Sequence, residues 1–258
     1  MFSKNWLAAF AVVIACLGVS LAAPIENYGR LPTTSHVELS PDGLFLAYAR
    51  EAAAQRAVVV YDLAAKKTLA LINISDKKLR ALQWADSSHL LITTSVTAVP
   101  RGLSGRRGEF SMTQAYDVQA NASHALLDHV RGLRDSLGVM NVIAGVPQPR
   151  IIDGHAVVFV RGIYFPDEHS RYGLFRVDLT TSETRMVSRE HNTNAEDWVI
   201  DEAGRIVAEA DYSETSQHWK LVLYHNGEPT TAVDVAAPVE GPEIEGLNED
   251  GTSSFPSF

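Results

Sequence analysis

The stretch HVELSPDGLFLAYAR, residues 36–50, sets an apolar, strand-like run on each side of Ser40-Pro41-Asp42-Gly43. Proline fixes φ near the value a tight turn needs, aspartate hydrogen-bonds its own backbone, and glycine reaches positive φ, so these four residues predict a hairpin turn between paired strands. RAVVVYDL at 56–63, the polar AAKK and TLALINI at 68–74 then predict two more strands joined by a short loop. The result is one four-stranded antiparallel unit.

That unit returns. LRALQWADSSHLLITTS (79–95) and FSMTQAYDVQANASHALL (110–127) form a second, with Tyr116-Asp117-Val118 standing where Tyr61-Asp62-Leu63 stood. RIIDGHAVVFVRG (150–162) and YGLFRVDLTTSETRMVSR (172–189) form a third, closing on Val177-Asp178-Leu179. DWVIDEAGRIVAEADYS (197–213) and HWKLVLYHNGEPTTAV (218–233) form a fourth, with Asn226-Gly227 as a hairpin turn, and a fifth begins at PEIEGLNEDGTSSF (242–255). The equivalent turn positions Gly43, Ser88, Gly154, Gly204 and Gly251 lie 45, 66, 50 and 47 residues apart. A four-stranded propeller blade takes about 40–50 residues, so the spacing predicts an all-β, partial β-propeller of about four to five blades. A β-sandwich is the simpler alternative, but turns and Asp-centred tripeptides recurring in one fixed order favour blades. The units are expected near 36–75, 79–128, 150–190 and 197–235, with an incomplete one from 239. The long step is assigned to an insertion over 130–150, in which Val130, Leu133, Leu137 and Val139–Met140 allow a helical turn or two.

The 258 residues are 46% hydrophobic and 21% charged, an ordinary globular composition that can bury a sizeable core. A formal charge of −9 offers no basic face for phosphates, so nucleic acid is not an expected partner. At the N-terminus, Lys4 precedes an apolar run from Trp6 to Leu21 and the small residues Ser20 and Ala22. This is the layout of a secretory signal peptide cleaved after residue 22, which predicts an exported, periplasmic or secreted chain 23–258 with no stable membrane span. The run is short for a membrane anchor, and no basic stop-transfer cluster follows. Cys16, the single cysteine, falls inside the signal, so the mature chain has no disulfide. Val13-Ile14-Ala15-Cys16 loosely resembles a lipoprotein box, but the apolar run continues past the cysteine. NIS at 73–75 and NAS at 121–123 fit the glycosylation pattern and are read as turns.

Chemistry-bearing motifs are sparse. No Gly-x-Ser-x-Gly elbow occurs; GLSGR around Ser104 comes nearest, among predicted strands and without the second spacing. The nine histidines are scattered, with no His-Glu-x-x-His. Asp167-Glu168-His169 reads as an exposed turn, and Asp42, Asp86, Asp153 and Asp250 as turn formers, because calcium needs six or more oxygens converging on one point. Arg101, Arg106 and Arg107 lie in a glycine-rich loop that reads as solvated. Trp84, Trp198 and Trp219 are expected to pack blade against blade. No catalytic, metal-ligating or cofactor-binding residue is assigned, and no cofactor is expected.

LSPDGLFLAYAR followed by AVVVYDL resembles the propeller repeat of prolyl-oligopeptidase-like serine peptidases, the S9 class, and IENYGRLPTTSHVELSPDG (25–43) resembles the start of the mature chain in exported members. The Tol-system propeller uses a similar SPDG turn. What the S9 resemblance implies is a gating propeller placed over an α/β-hydrolase domain that carries the serine, aspartate and histidine. This sequence reaches Phe258 before any such domain, so no catalytic residue carries over, and the chain alone is expected to be inactive. The expected partner is a peptide substrate or another protein, with self-association through an open blade edge. The alternative is a non-catalytic periplasmic binding propeller.

Overall fold

The computed structural model describes residues 33–258 except 53–54, 75, 100–106, 129, 131–137, 168, 189–193, 240, 243, 245, 248–252 and 255–258. The expected signal peptide, Ser104, Arg101, Arg106, Leu133, Leu137, Glu168 and Asp250 lie outside the described residues. Everything below concerns the unit Thr34–Phe258.

The described structure is all β. The first sheet runs β1 (Thr34–Leu39), β2 (Phe45–Ala52), β3 (Gln55–Asp62) and β4 (Lys67–Asn73), each antiparallel to the next. The second follows as β5 (Lys78–Trp84), β6 (His89–Ala98), β7 (Gly108–Asp117) and β8 (Ala122–Ala125), and the third as β9 (Gly138–Ile152), β10 (His155–Phe165), β11 (Arg171–Asp178) and β12 (Glu183–Met186). The fourth is β13 (Ala195–Ile200), β14 (Ile206–Ser213), β15 (His218–His225) and β16 (Glu228–Ala236). A two-stranded pair, β17 (Gly246–Leu247) with β18 (Ser253–Ser254), lies where the sequence predicts the fifth unit. One ladder contact, Ser111 with Ile143, joins the second and third sheets into a single hydrogen-bonded sheet through β7 and β9.

Side-chain alternation explains how the sheets stack. On β6, Leu90 and Ile92 pack toward the first sheet, among Ala47, Val58 and Val60, while Leu91 between them packs toward the third. On β10, Val158 and Val160 face the second sheet and Val157 and Phe159 the fourth, against Trp198 and Ile200. Middle strands covered on both faces therefore read as unbroken apolar runs, and each such Val or Leu contributes ~1.5–3 kcal/mol by burial. Successive four-stranded meanders packed face to face are the blades of a β-propeller. Trp84, stacked with Phe45 at 6.2 Å between ring centroids, lies between the first and second blades, and Trp198 between the third and fourth. Trp219 lies on the far face of the fourth, which Ala237 and Ile244 cover.

The repeated aspartates act as turn caps. Asp42 Oδ1 accepts the Leu44 backbone N–H at 3.0 Å and the Ser40 hydroxyl at 2.6 Å, and Ser40 Oγ in turn accepts the Phe45 N–H at 2.9 Å. In three blades the closing turn is one construction: Asp62, Asp117 and Asp178 each accept N–H groups two or three residues on. The residue four positions after each (Lys66, Asn121, Ser182) adopts φ of 51–57°.

One expectation is overturned. Of the stretch 130–150, residues 138–149 form no helical turn; they are the first part of β9, the strand of the third blade that meets the second, while 131–137 lie outside the described residues. Two register irregularities against β10 absorb the extra length, one of them at Gly145, whose φ is 72°.

Candidate functional site

The described residues that converge into a site lie between the third and fourth blades. Arg161 on β10 stands opposite Leu174 of β11 and Ala144 of β9, and its side chain leaves its own sheet for the first strand of the next. Its Nη1 donates to the Glu196 carbonyl at 2.7 Å and lies 3.5 Å from Asp197 Oδ1. Its guanidinium carbon sits 5.4 Å from the centroid of the Tyr172 ring, a cation–π contact. Its Nε is buried and has no hydrogen-bond acceptor among the described residues.

Two cavities lie at the Arg161–Tyr172 contact. One, of about 390 Å³, is lined by Arg171, Tyr172, Asn194, Glu196, Tyr212 and Glu214 and is mostly polar. The other, of about 450 Å³, is lined by Gly145, Phe159, Arg161, Leu174, Trp198 and Ile244 and is more apolar. Tyr172 lines the first and Arg161 the second, so their contact forms the wall between them. In the polar cavity, loss of hydration pushes the Glu196 carboxyl above its ordinary range; Glu214 and Asp197 reinforce the shift and Arg161 opposes it. Cations and carboxylates thus share one cleft, with neutral donors and acceptors from Asn194, Tyr212 and the backbone beside them. This suits a ligand that offers both polarities, as a peptide backbone does.

Local folding positions these groups. Gly145, with φ of 72°, adopts a backbone conformation that L side chains rarely adopt; a Cβ there would make only ordinary contact with an Arg161 amino group, so the backbone rather than crowding calls for glycine. Trp198 is fixed twice, its backbone N–H donating to Asp197 Oδ1 at 3.0 Å and its indole N–H to Glu209 at 2.7 Å.

The residues weighed from sequence fall elsewhere. Asp42 and Asp86 cap turns, and Asp153 with Gly154 forms a two-residue turn with both φ positive. Asp167 and His169 pair with each other on the surface. No group of three or more His, Cys, Asp or Glu side chains arranged to hold a metal occurs among the described residues. Arg161, Tyr172, Glu196 and Asp197 carry no motif, and sequence reading passed over them.

No protein-family model matches the sequence, and no curated protein matches it. Among solved structures, TolB from Acinetobacter baumannii is 12% identical with a TM-score of 0.38, over 77% of this chain and 42% of that one. An acylaminoacyl peptidase in complex with Z-Gly-Gly-Phe-chloromethyl ketone is 15% identical with a TM-score of 0.41, over 78% and 32%. The β-propeller domain of the Trilobed protease from Pyrococcus furiosus is 16% identical with a TM-score of 0.39, over 78% and 57%. The chain therefore spans less than two thirds of each of these proteins.

Proposed function

We propose that this chain is the peptide-gating propeller portion of an exported, prolyl-oligopeptidase-like serine peptidase, binding peptide without cleaving it. Export is supported by the Lys4, Trp6–Leu21 and Ala22 layout, and the family by the LSPDGLFLAYAR and AVVVYDL phrases. The observation that carries peptide binding is the polar cleft beside the Arg161–Tyr172 contact, where Arg171, Asn194, Glu196, Tyr212 and Glu214 offer a backbone both donors and acceptors between two blades. The serine, aspartate and histidine of the chemistry are assigned to none of these residues.

The test is titration of the full chain, as the cell processes it, with acetylated and amidated pentapeptides, followed by calorimetry for binding and chromatography for cleavage. Binding with intact peptide supports the proposal. Cleavage blocked by a fluorophosphonate, or no binding to any peptide, overturns it.

A second reading, a non-catalytic periplasmic propeller that binds a protein, draws on the exposed far face of the first blade, where Leu39 and Leu71 are 55% and 68% exposed. It predicts no peptide binding at the Arg161 cleft.

A further inference from the structure

The more apolar cavity is where the cleft becomes selective. Its lining draws carbon from both blades: Phe159, Leu174 and Trp198 are almost wholly buried behind the more open Ala144, Val146 and Ile244, the last from the segment after the fourth blade. Its volume, about 450 Å³, falls within the ~300–1,000 Å³ of small-molecule and side-chain sites. Here the irregularity of β9 at Gly145 carries that strand out of register with β10, so the space is built by the backbone. At the rim, Arg161 faces Asp197 at 3.5 Å, so the charges offset each other and an ionic ligand group gains little there. The Arg161 side chain is 27% exposed and borders the cavity, so the guanidinium, though not its enclosed Nε, is placed to meet a neutral oxygen.

We propose that this cavity is a side-chain pocket for a large apolar residue of a bound peptide, with the Arg161 guanidinium donating to a backbone carbonyl beside that residue. The inference builds on the peptide-binding reading above and adds selectivity to it. Ala144, which also lines the cavity and is only partly exposed, is the position from which the pocket is filled by mutation.

The experiment compares three acetylated, amidated pentapeptides that differ only at the centre, carrying Phe, Ala or Asp, by calorimetric titration against the full chain. The Phe peptide is expected to bind about tenfold tighter than the Ala peptide, the share a buried phenyl ring contributes, and the Asp peptide no tighter than the Ala peptide. Ala144→Leu is expected to remove the Phe preference while leaving the Ala peptide bound, and Arg161→Lys, which keeps the charge and lacks the planar guanidinium, to weaken all three peptides alike. Equal binding of the three peptides to the unmodified chain overturns the pocket and leaves peptide binding standing. A Phe preference that survives in a folded Ala144→Leu chain overturns it as well. Failure of all three to bind overturns the pocket together with the reading beneath it.

Discussion

Trp198 donates its indole N–H to the Glu209 carboxylate at 2.7 Å, and the two residues, on adjacent strands of the fourth blade, are each 2% exposed. A buried carboxylate is tolerated only when hydrogen-bonded, and removing one partner leaves the other without water to replace it. Glu209→Gln keeps an acceptor in place and is expected to cost about 1 kcal/mol, whereas Glu209→Ala strands the indole, opens a void and costs about 3 kcal/mol. Urea denaturation of the two variants at neutral pH measures the difference.

The closing turns are expected to differ in strength although their construction is shared. Asp62 caps an exposed turn, while Asp178 is 7% exposed, takes two backbone N–H groups and also accepts from His155 at 3.2 Å. Asp62→Ala is expected to cost about 1 kcal/mol and Asp178→Ala about twice that, read from thermal midpoints.

Two glycines with nearly the same φ separate backbone strain from crowding. Gly43 (φ 73°) has open space where a Cβ would project, whereas a Cβ on Gly204 (φ 77°) would meet Ile152 and would lie 3.0 Å from the Phe159 ring. Gly43→Ala is expected to cost about 1 kcal/mol from conformation alone. Gly204→Ala should cost about 2–3 kcal/mol, because the third-blade side chains must also give way. Parallel denaturation curves decide the point.

Stability near the second blade's opening turn is expected to follow pH through a histidine pair. The hydrogen bond that His89 donates to Asp86 raises its imidazole above the ordinary 6.5, against the effect of burial, with the charges of Asp86, Asp117 and Asp178 adding to the shift. Burial alone would raise Asp86, but the hydrogen bonds and charge of His89 and the Ser88 N–H hold it below 3.8. His124 is lowered, first by burial and then by His89. The His89 contribution is complete below pH 6.5 and is lost as pH rises through the raised value; that of Asp86 is present above 3.8 and is lost as pH falls through the lowered one. The His124 contribution runs opposite to that of His89, being present above 6.5 and lost on acidification through its lowered value. The stability gap between the native chain and His89→Gln is therefore expected to be widest near about pH 5 and to narrow above about pH 7. In the same variant His124 should titrate closer to 6.5, which proton NMR follows directly.

What the sequence discloses is local. Asp42, Asp117 and Asp178 act on N–H groups two or three residues away, so a turn built by them is legible from a few letters, and the recurrence of that turn reveals the blades. β9 was misread because Gly145, Pro147 and Pro149 interrupt the alternation that marks a strand, while the ladder partners that make it one lie on β10. The site is less legible still. Arg161 and Glu196 are 35 residues apart and meet only because two blades pack, and no spacing rule encodes which strand ends come together.

The bridge between Ser111 and Ile143 makes the array mechanically uneven. Backbone hydrogen bonding crosses from the second blade to the third, whereas Trp84 reaches the Glu38 carbonyl across the first joint, and Arg150 and Arg161 reach the carbonyls of Ile200, Asp201 and Glu196 across the last. A side-chain tether swings about several bonds where a ladder does not. Backbone hydrogen bonding thus divides the blades into three segments, the middle one double, and the Arg161 cleft lies at the joint before the last of them.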